Sequence, residues 1–377
     1  MEFGFSEAQR DVQELARRIL GDNVGPETLA AYDEYRAERH DDALWRQVAS
    51  AGLVGLALDQ QYGGMGLGFM ELCLFIEETG RTLAPLPAIP HCVSATLPIQ
   101  RFAPQPLRET LLPAAAAGEV ILTAALAEPL NEDPANPQSV SARADGDAFV
   151  LTGRKVCVPF ANRARGILLA ARSGPEVAVV LLDPRAPGVT LVPMQVTSFE
   201  PQFELVLDGA RVAPGEIICR SGGESIMQWT AERAMAALCA HQLGAADHAM
   251  RMAASYTGER RQFDVPISTF QAVGHRMADC YIDVECLRLA TWQAASLLAA
   301  EAPATTEVQI AKIWAGDVGH RVSYATQHVH GGTGIDRDYP LWRYCLWMRH
   351  NEMTLGSSAR HTALLGARLA EGEALFG

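Results

Sequence analysis

The chain has 377 residues, 49% of them hydrophobic, which is long enough for two or three domains with sizeable cores. Its 44 acidic and 31 basic residues give a formal net charge of −13, which disfavours nucleic acid and anionic lipid as partners. The eight cysteines lack C-x-x-C spacing, so we expect reduced thiols. With no signal-peptide pattern and no apolar run of ~20 residues, the sequence predicts a cytoplasmic protein without a membrane span.

The N-terminal part is predicted to be helical. Ser6 to Gln9 has the form of a capping box, and an apolar residue then recurs at helical spacing, at Val12, Leu15, Ala16 and Ile19. Further helical stretches cover residues 43–52 and 71–79. The four glycines of residues 62–68 favour tight turns between helices. A phosphate-binding loop is the alternative, but no strand precedes these glycines and no Gly-Lys-Ser/Thr follows them. We place the first domain at 1–117.

The middle of the chain is predicted to be β-structure. Residues 139–151 flank Asp145-Gly146-Asp147, a hairpin signal. Further short apolar runs lie at 148–152, 166–171, 176–182, 189–192 and 203–207. Without helices between them, they indicate an antiparallel barrel or sandwich and disfavour a dinucleotide-binding doubly wound sheet. This second domain is placed at 118–222.

The last part of the chain, 223–377, is predicted to be a bundle of four long helices. The segments rich in Ala, Leu and Met are 225–256, 269–300, 305–330 and 348–371. The predicted fold class is therefore α+β multidomain, in the order helical, β, helical bundle.

The motifs along the chain are each weak, but together their order and spacing resemble the acyl-CoA dehydrogenase family over essentially the whole length. They are residues 45–84 with the glycine-rich 62–68 segment and Glu77-Glu-Thr-Gly80, the Ala127-Glu-Pro129 turn, Gly153-Arg-Lys155, Arg260-Arg-Gln-Phe263 with Phe270-Gln271, and His330-Gly-Gly-Thr-Gly334 before Asp338-Tyr-Pro340. In that family a glutamate removes the α-proton of an acyl-CoA while the β-hydride passes to flavin N5 of FAD. The resemblance thus implies FAD, an acyl-CoA substrate, and an electron-transfer flavoprotein or equivalent acceptor.

The resemblance assigns the contacts to the diphosphate and adenine of a neighbouring subunit's FAD to six residues: Arg260, Gln262, Phe263, His328, Gly331 and Gly332. Arginine supplies a permanent cation with forked donors, and the glycines allow close backbone approach. His328 stands where the family usually has glutamine. The alternative for Arg260 is a cation that only compensates a helix C-terminus.

The positions that the family uses around the flavin ring are altered. Ala127 replaces a hydroxyl residue, the usual Gly-Ser-Asp is replaced by residues 131–137, and Cys157 and Pro159 stand where an aromatic and a hydroxyl residue are expected. Pro159 has no N–H to donate. Asp264 places a negative charge beside the expected phosphate site.

The catalytic residue is left unassigned, because neither family position for the base holds a carboxylate. These positions correspond to Leu355 and Ala234. Glu232 is two residues from the second position, which is a rotation of about 200° on a helix, and Glu352 lies about one turn before Leu355. Both are kept as alternative bases. Two histidines, at 328 and 330, have no third ligand in register, so no metal site is predicted.

Some actinobacterial acyl-CoA dehydrogenases of steroid side chains are α2β2 heterotetramers in which one subunit keeps the base and the flavin face. Residues 336–343 and 354–358 resemble the other subunit type. Our leading hypothesis is that this chain is such a partner subunit and completes the FAD site of a catalytic homologue. The alternatives are a self-sufficient homo-oligomeric dehydrogenase and a flavin-free structural or binding subunit. The acyl group is not identified by the sequence.

Overall fold

The structure is a computed structural model that describes residues 4–33 and 38–372. Residues 1–3 of the N-terminal segment, for which no signal peptide is predicted, lie outside these ranges. The chain forms two compact units, the first comprising Met1–Ile19, Leu29–Leu72 and Pro85–Ala234, and the second Leu20–Thr28, Cys73–Ala84 and Met235–Gly377. The domain bounds at 117/118 and 222/223 stay a prediction.

The three predicted helical stretches of the N-terminal part are present, and the structure adds further short helices that were not predicted. The helices are α1 (Glu7–Asn23), α2 (Pro26–Ala30), α3 (Asp42–Ser50), α4 (Phe69–Thr82), a π-helical turn at Ala88–Ala95, α5 (Thr96–Phe102) and α6 (Gln105–Ala116). The capping box is confirmed, since the Gln9 amide donates to Ser6 Oγ at 3.2 Å and the Ser6 amide to Gln9 Oε1 at 2.9 Å. In the glycine-rich segment, Gly63 has φ +80°, and a Cβ at Gly64 would lie 2.0 Å from the Leu58 carbonyl. These glycines serve a tight turn.

The first unit also holds one eight-stranded sheet. Its strands are β1 (Ile121–Ala125), β2 (Ser141–Asp145), β3 (Ala148–Pro159), β4 (Ala164–Ser173), β5 (Glu176–Leu182), β6 (Val189–Met194), β7 (Gln202–Val212) and β8 (Ile217–Cys219). The order is β6-β7-β3-β2-β4-β5-β8, with β1 beside β4. The predicted hairpin is present, with Gly146 at φ +60° in its turn. Side chains such as Leu151, Leu169 and Leu205 fill the interior.

The expectation of a wholly antiparallel arrangement is wrong in one respect. β1 pairs with β4 in parallel over residues 121–125, and β2 meets β4 in parallel at Ser141, so the sheet is mixed. The partners in these pairs lie 31 to 44 residues apart, and parallel strands need long connections of this kind. No local alternation of residues encodes that pairing.

The second unit is a helical bundle with a short hairpin. It contains the larger part of α7 (Gly223–Glu259), β9 (Arg261–Gln262), β10 (Val265–Pro266), α8 (Gln271–Ala299), α9 (Thr305–His330), α10 (Leu341–Met353) and α11 (Ser358–Ala370). The predicted fourth helix, 348–371, is corrected to two helices. Leu355 and Gly356 between them have φ +58° and +96°, and left-handed residues end a helix.

Close backbone contact holds α4 and α7 together within this unit. A Cβ at Gly80 would lie 2.0 Å from the His241 carbonyl oxygen, so only glycine fits there. Beside this contact, Arg81 donates to Asp247 at 2.5 Å and to Glu77 at 3.1 Å, and both carboxylates are buried. The Glu77-Glu-Thr-Gly80 motif is therefore a helix-packing element.

Across the described ranges, no helix is both long and apolar enough to pass through a membrane.

Candidate cofactor site

Arg260 lies at the end of α7, where the backbone fixes its position. Its amide donates to the Tyr256 carbonyl at 2.8 Å, and its carbonyl accepts from the Ile267 amide at 2.8 Å. The side chain is exposed, and no ion pair to it occurs among the described residues. An exposed guanidinium on a fixed backbone can bind a diphosphate with little loss of backbone freedom.

The hairpin after Arg260 presents an apolar side chain to solvent. Phe263 and Asp264 form its tip with φ +52° and +65°, a conformation that is uncommon for residues other than glycine. The Arg261 guanidinium donates to the Asp264 carbonyl, which stabilises the turn. Phe263 is 88% exposed and meets Phe270 edge-on at 6.2 Å. The exposed Gln262 amide donates to the Arg261 carbonyl at 2.9 Å.

The glycine turn after α9 leaves its backbone open. Gly331 has φ +58° and ψ −133°, and a Cβ placed on Gly331 or Gly332 would meet no atom within 4 Å. Gly334 differs, because a Cβ there would lie 2.6 Å from the Gln327 carbonyl. The first two glycines therefore provide free space beside the backbone, and the third is required by packing.

Three aromatic residues bring the arginine and the glycine turn together. Tyr256 on α7 stacks on His330 at 4.2 Å and donates to its carbonyl at 3.4 Å. The His330 Nδ1 donates to the Thr326 carbonyl at 2.7 Å, which leaves Nε2 to accept from Tyr339 Oη at 3.0 Å. Burial lowers the pKa of His330, which favours the neutral ring. The sequence did not predict these aromatic contacts, although each of the three residues lies inside or next to a motif that resembles the family.

His328 is exposed and lies two residues nearer the N-terminus of α9 than His330. Its Nδ1 lies 2.8 Å from Nη1 of Arg276 on α8, and its ring stacks on Tyr324 at 6.2 Å. Arg276 was not among the residues singled out from the sequence, because nothing in the local pattern around it predicts a contact with α9.

The positions expected near the flavin ring lie in the first unit, and each has a backbone group that already makes a hydrogen bond. The Ala127 carbonyl accepts from the Val156 amide at 3.0 Å. The Cys157 amide donates to the Met194 sulfur at 3.4 Å, and the Pro159 carbonyl accepts from Thr123 Oγ1 at 2.7 Å. None of Ala127, Cys157 and Pro159 has a side-chain hydroxyl, so these residues do not fit the family's flavin-ring contacts.

Two motifs of the β-structure meet in a buried ion pair that the sequence did not reveal. Glu128 accepts from Lys155 Nζ at 2.9 Å and from the amides of Gln138 and Ser139 at 2.6 and 2.8 Å. Burial acts to raise the pKa of Glu128, but Lys155 and these amides lower it overall. The carboxylate thus closes the 129–137 loop and has a structural role.

The two family positions for the base carry no carboxylate, since they hold Leu355 and Ala234. Leu355 lies in the break between α10 and α11, where its carbonyl accepts from His361 Nε2 at 2.9 Å, and Ala234 is buried. Glu352 pairs with Arg349 at 2.6 Å. Glu232 accepts from Gln228, one turn earlier on α7, at 3.3 Å.

Among residues 4–33 and 38–372, no three His, Cys, Asp or Glu side chains are placed to hold a metal ion.

Comparison with known proteins identifies the family. The N-terminal domain model of acyl-CoA dehydrogenases matches residues 6–119, and the C-terminal domain model matches residues 221–370. Acyl-CoA dehydrogenase FadE27 of Mycobacterium tuberculosis is 34% identical, over 98% of this chain and 99% of the relative. The ChsE4–ChsE5 complex of Mycobacterium tuberculosis is similar with a TM-score of 0.93 at 34% identity, covering 99% of this chain and 100% of the matched one. A variant of the Tcur3481–Tcur3483 steroid ACAD gives 0.89 at 38% identity, covering 97% and 98%. The chain therefore belongs to the acyl-CoA dehydrogenase family.

Proposed function

We propose that this chain is the partner subunit of a heteromeric, FAD-dependent acyl-CoA dehydrogenase, and that a homologous subunit supplies the base and the flavin-ring contacts. The observation that carries the proposal is the unequal state of the two half-sites. Arg260 and the Gly331–Gly332 backbone form an open cradle, whereas the flavin-ring positions lack hydroxyl groups and the base positions hold Leu355 and Ala234. Losses concentrated at the flavin-ring and base positions favour a chain that serves a neighbour's cofactor.

In this proposal the residues of the second unit bind and orient the nucleotide part of FAD. Arg260 would hold the diphosphate by charge-assisted hydrogen bonds. The Gly331–Gly332 backbone would allow the adenosine part to approach closely, and Phe263 would cover it with an apolar surface. FAD, when bound, supplies the hydride acceptor for α,β-dehydrogenation of the acyl-CoA. The α-proton would go to a carboxylate of the partner subunit.

The similar complexes support a heteromeric assembly and a class of substrate. ChsE4–ChsE5 and Tcur3481–Tcur3483 are each named as a pair of subunits, and the second is named a steroid ACAD. We therefore propose the CoA thioester of a steroid side chain as the substrate class, an α2β2 assembly, and an electron-transfer flavoprotein or equivalent as the acceptor. The homo-oligomeric dehydrogenase and the flavin-free subunit are the competing proposals.

Purification of the chain alone and with a co-expressed homologous dehydrogenase tests the proposal. We expect bound FAD and acyl-CoA-dependent dye reduction only in the co-purified complex. Arg260→Gln in this chain should lower the flavin content of that complex. The exposed Arg321, which pairs with Asp283 at 2.7 Å, offers a matched control in Arg321→Gln.

Each competing function gives a different result. Stoichiometric FAD and activity in the isolated chain would establish the homo-oligomeric dehydrogenase. A complex without flavin would establish the structural subunit. A complex that oxidises straight-chain acyl-CoA but no steroid side-chain thioester would overturn only the substrate class.

A further inference from the structure

We propose that Arg276 is a second guanidinium of the cofactor cradle and binds the FAD diphosphate together with His328. This inference rests on the proposed function, since it names a further residue of the same site.

The geometry places Arg276 at the same end of the bundle as the glycine turn. Arg276 lies near the start of α8, and Nη1 reaches His328 Nδ1 at 2.8 Å in the last turn of α9. His330, two residues further on, stacks on Tyr256, and the Tyr256 carbonyl binds the Arg260 amide. The first turns of α8 and the last turns of α7 and α9 therefore meet at this end of the second unit.

The charge around Arg276 is unusual for this acidic chain. Arg81, Arg251, Arg288, Arg321 and Arg349 in the second unit all form ion pairs with carboxylates. In the part of the chain that the structure describes, Arg276 has no such partner and contacts only His328 and the face of Tyr324, 6.0 Å away. Arg260 shares this lack of a described carboxylate partner. Arg276 and Arg260 can therefore both attract an anion, although the protein has a net charge of −13.

The hydrogen bond from Arg276 also determines which ring nitrogen of His328 carries the proton. A guanidinium is always a donor, so His328 Nδ1 must accept and the ring proton lies on Nε2. The exposed Nε2–H is then a donor, as is one side of the glutamine amide found at this position in the family. Arg276 uses one of its five N–H groups on His328, and the others remain for a phosphate oxygen.

The test measures FAD affinity of the flavin-containing assembly after removal and re-addition of FAD, by quenching of flavin fluorescence. Arg276→Gln should weaken binding about tenfold, the usual effect of losing one charge-assisted hydrogen bond. Arg276→Lys keeps the charge without the forked donors, so its FAD affinity should lie between those of Arg276→Gln and the unchanged protein. The control Arg321→Gln should bind as the unchanged protein does. At about 1 M salt the difference between Arg276→Gln and the unchanged protein should shrink, because exposed charges are screened.

The outcomes separate this inference from the proposed function. If the complex binds FAD and Arg276→Gln changes thermal stability but not affinity, Arg276 only stabilises the end of α9 and the inference is overturned. If Arg321→Gln weakens binding equally, the effect is one of overall charge, and the inference is again overturned. If no assembly containing this chain binds FAD, both the inference and the proposed function are wrong.

Discussion

Replacement of Glu128 by Gln should destabilise the first unit strongly, because it leaves a buried ammonium group without a counter-charge. Glu128 and Lys155 are 3% and 1% exposed, and their charged atoms lie 2.9 Å apart. Removing one partner of a buried ion pair costs about 3–5 kcal/mol. We expect a loss of this size in the free energy of unfolding, measured by urea denaturation of the purified protein.

A neighbouring pair on the same strand provides the control. Arg154 precedes Lys155 and pairs with Glu204 at 3.2 Å, but the Arg154 side chain is 60% exposed. Arg154→Gln should therefore cost less than about 1 kcal/mol. In a Glu128→Gln, Lys155→Met double variant much of the loss should be recovered, because no unpaired charge remains buried. Equal costs for Glu128→Gln and Arg154→Gln would refute the reasoning.

The pH dependence of stability should change in the same variant. The pKa of Glu128 in the folded protein lies below its ordinary value of 4.5. Its contribution is therefore complete above about pH 4.5 and is lost as the pH falls through the folded value. Glu128→Gln should be less sensitive to acid in this range than the unchanged protein, and unfolding curves at several pH values would measure the difference.

Three further predictions concern other positions. Burial lowers the pKa of His91 to about 4 from its ordinary 6.5, so the unfolded chain binds more protons than the folded chain between these pH values. The free energy of unfolding should therefore fall by up to about 3 kcal/mol on acidification. His91→Gln should reduce this pH dependence in urea titrations, and an unchanged dependence would contradict the prediction. Gly80→Ala should cost at least about 1–3 kcal/mol because its Cβ would meet the His241 carbonyl, whereas Gly258→Ala, with nothing within 4 Å, should be neutral or stabilising in thermal denaturation. Glu232→Gln should leave the turnover of the active assembly unchanged, and a loss of a hundredfold or more would identify Glu232 as the base.

Local patterns in the sequence determined the elements with strong periodicity or clear ends. The strand at 176–182 and the helix at 305–330 have the predicted bounds, because the strand is an apolar run bounded by turn residues and the helix ends at a glycine. The capping box at Ser6 was predictable for the same reason, since both partners lie within four residues. The motifs that identify the family are likewise short and contiguous.

The tertiary structure decided the contacts between segments distant in sequence. The parallel pairing of β1 with β4, the Glu128–Lys155 ion pair and the Arg276–His328 hydrogen bond join residues about 27 to 52 positions apart. Each contact depends on how two elements that are distant in sequence are oriented against one another. That orientation is set by the burial of apolar side chains throughout a unit. The tertiary structure also decided the left-handed turn at Leu355. The helical propensity of leucine would continue the helix, but the Leu355 carbonyl accepts a hydrogen bond from His361 that supports the break.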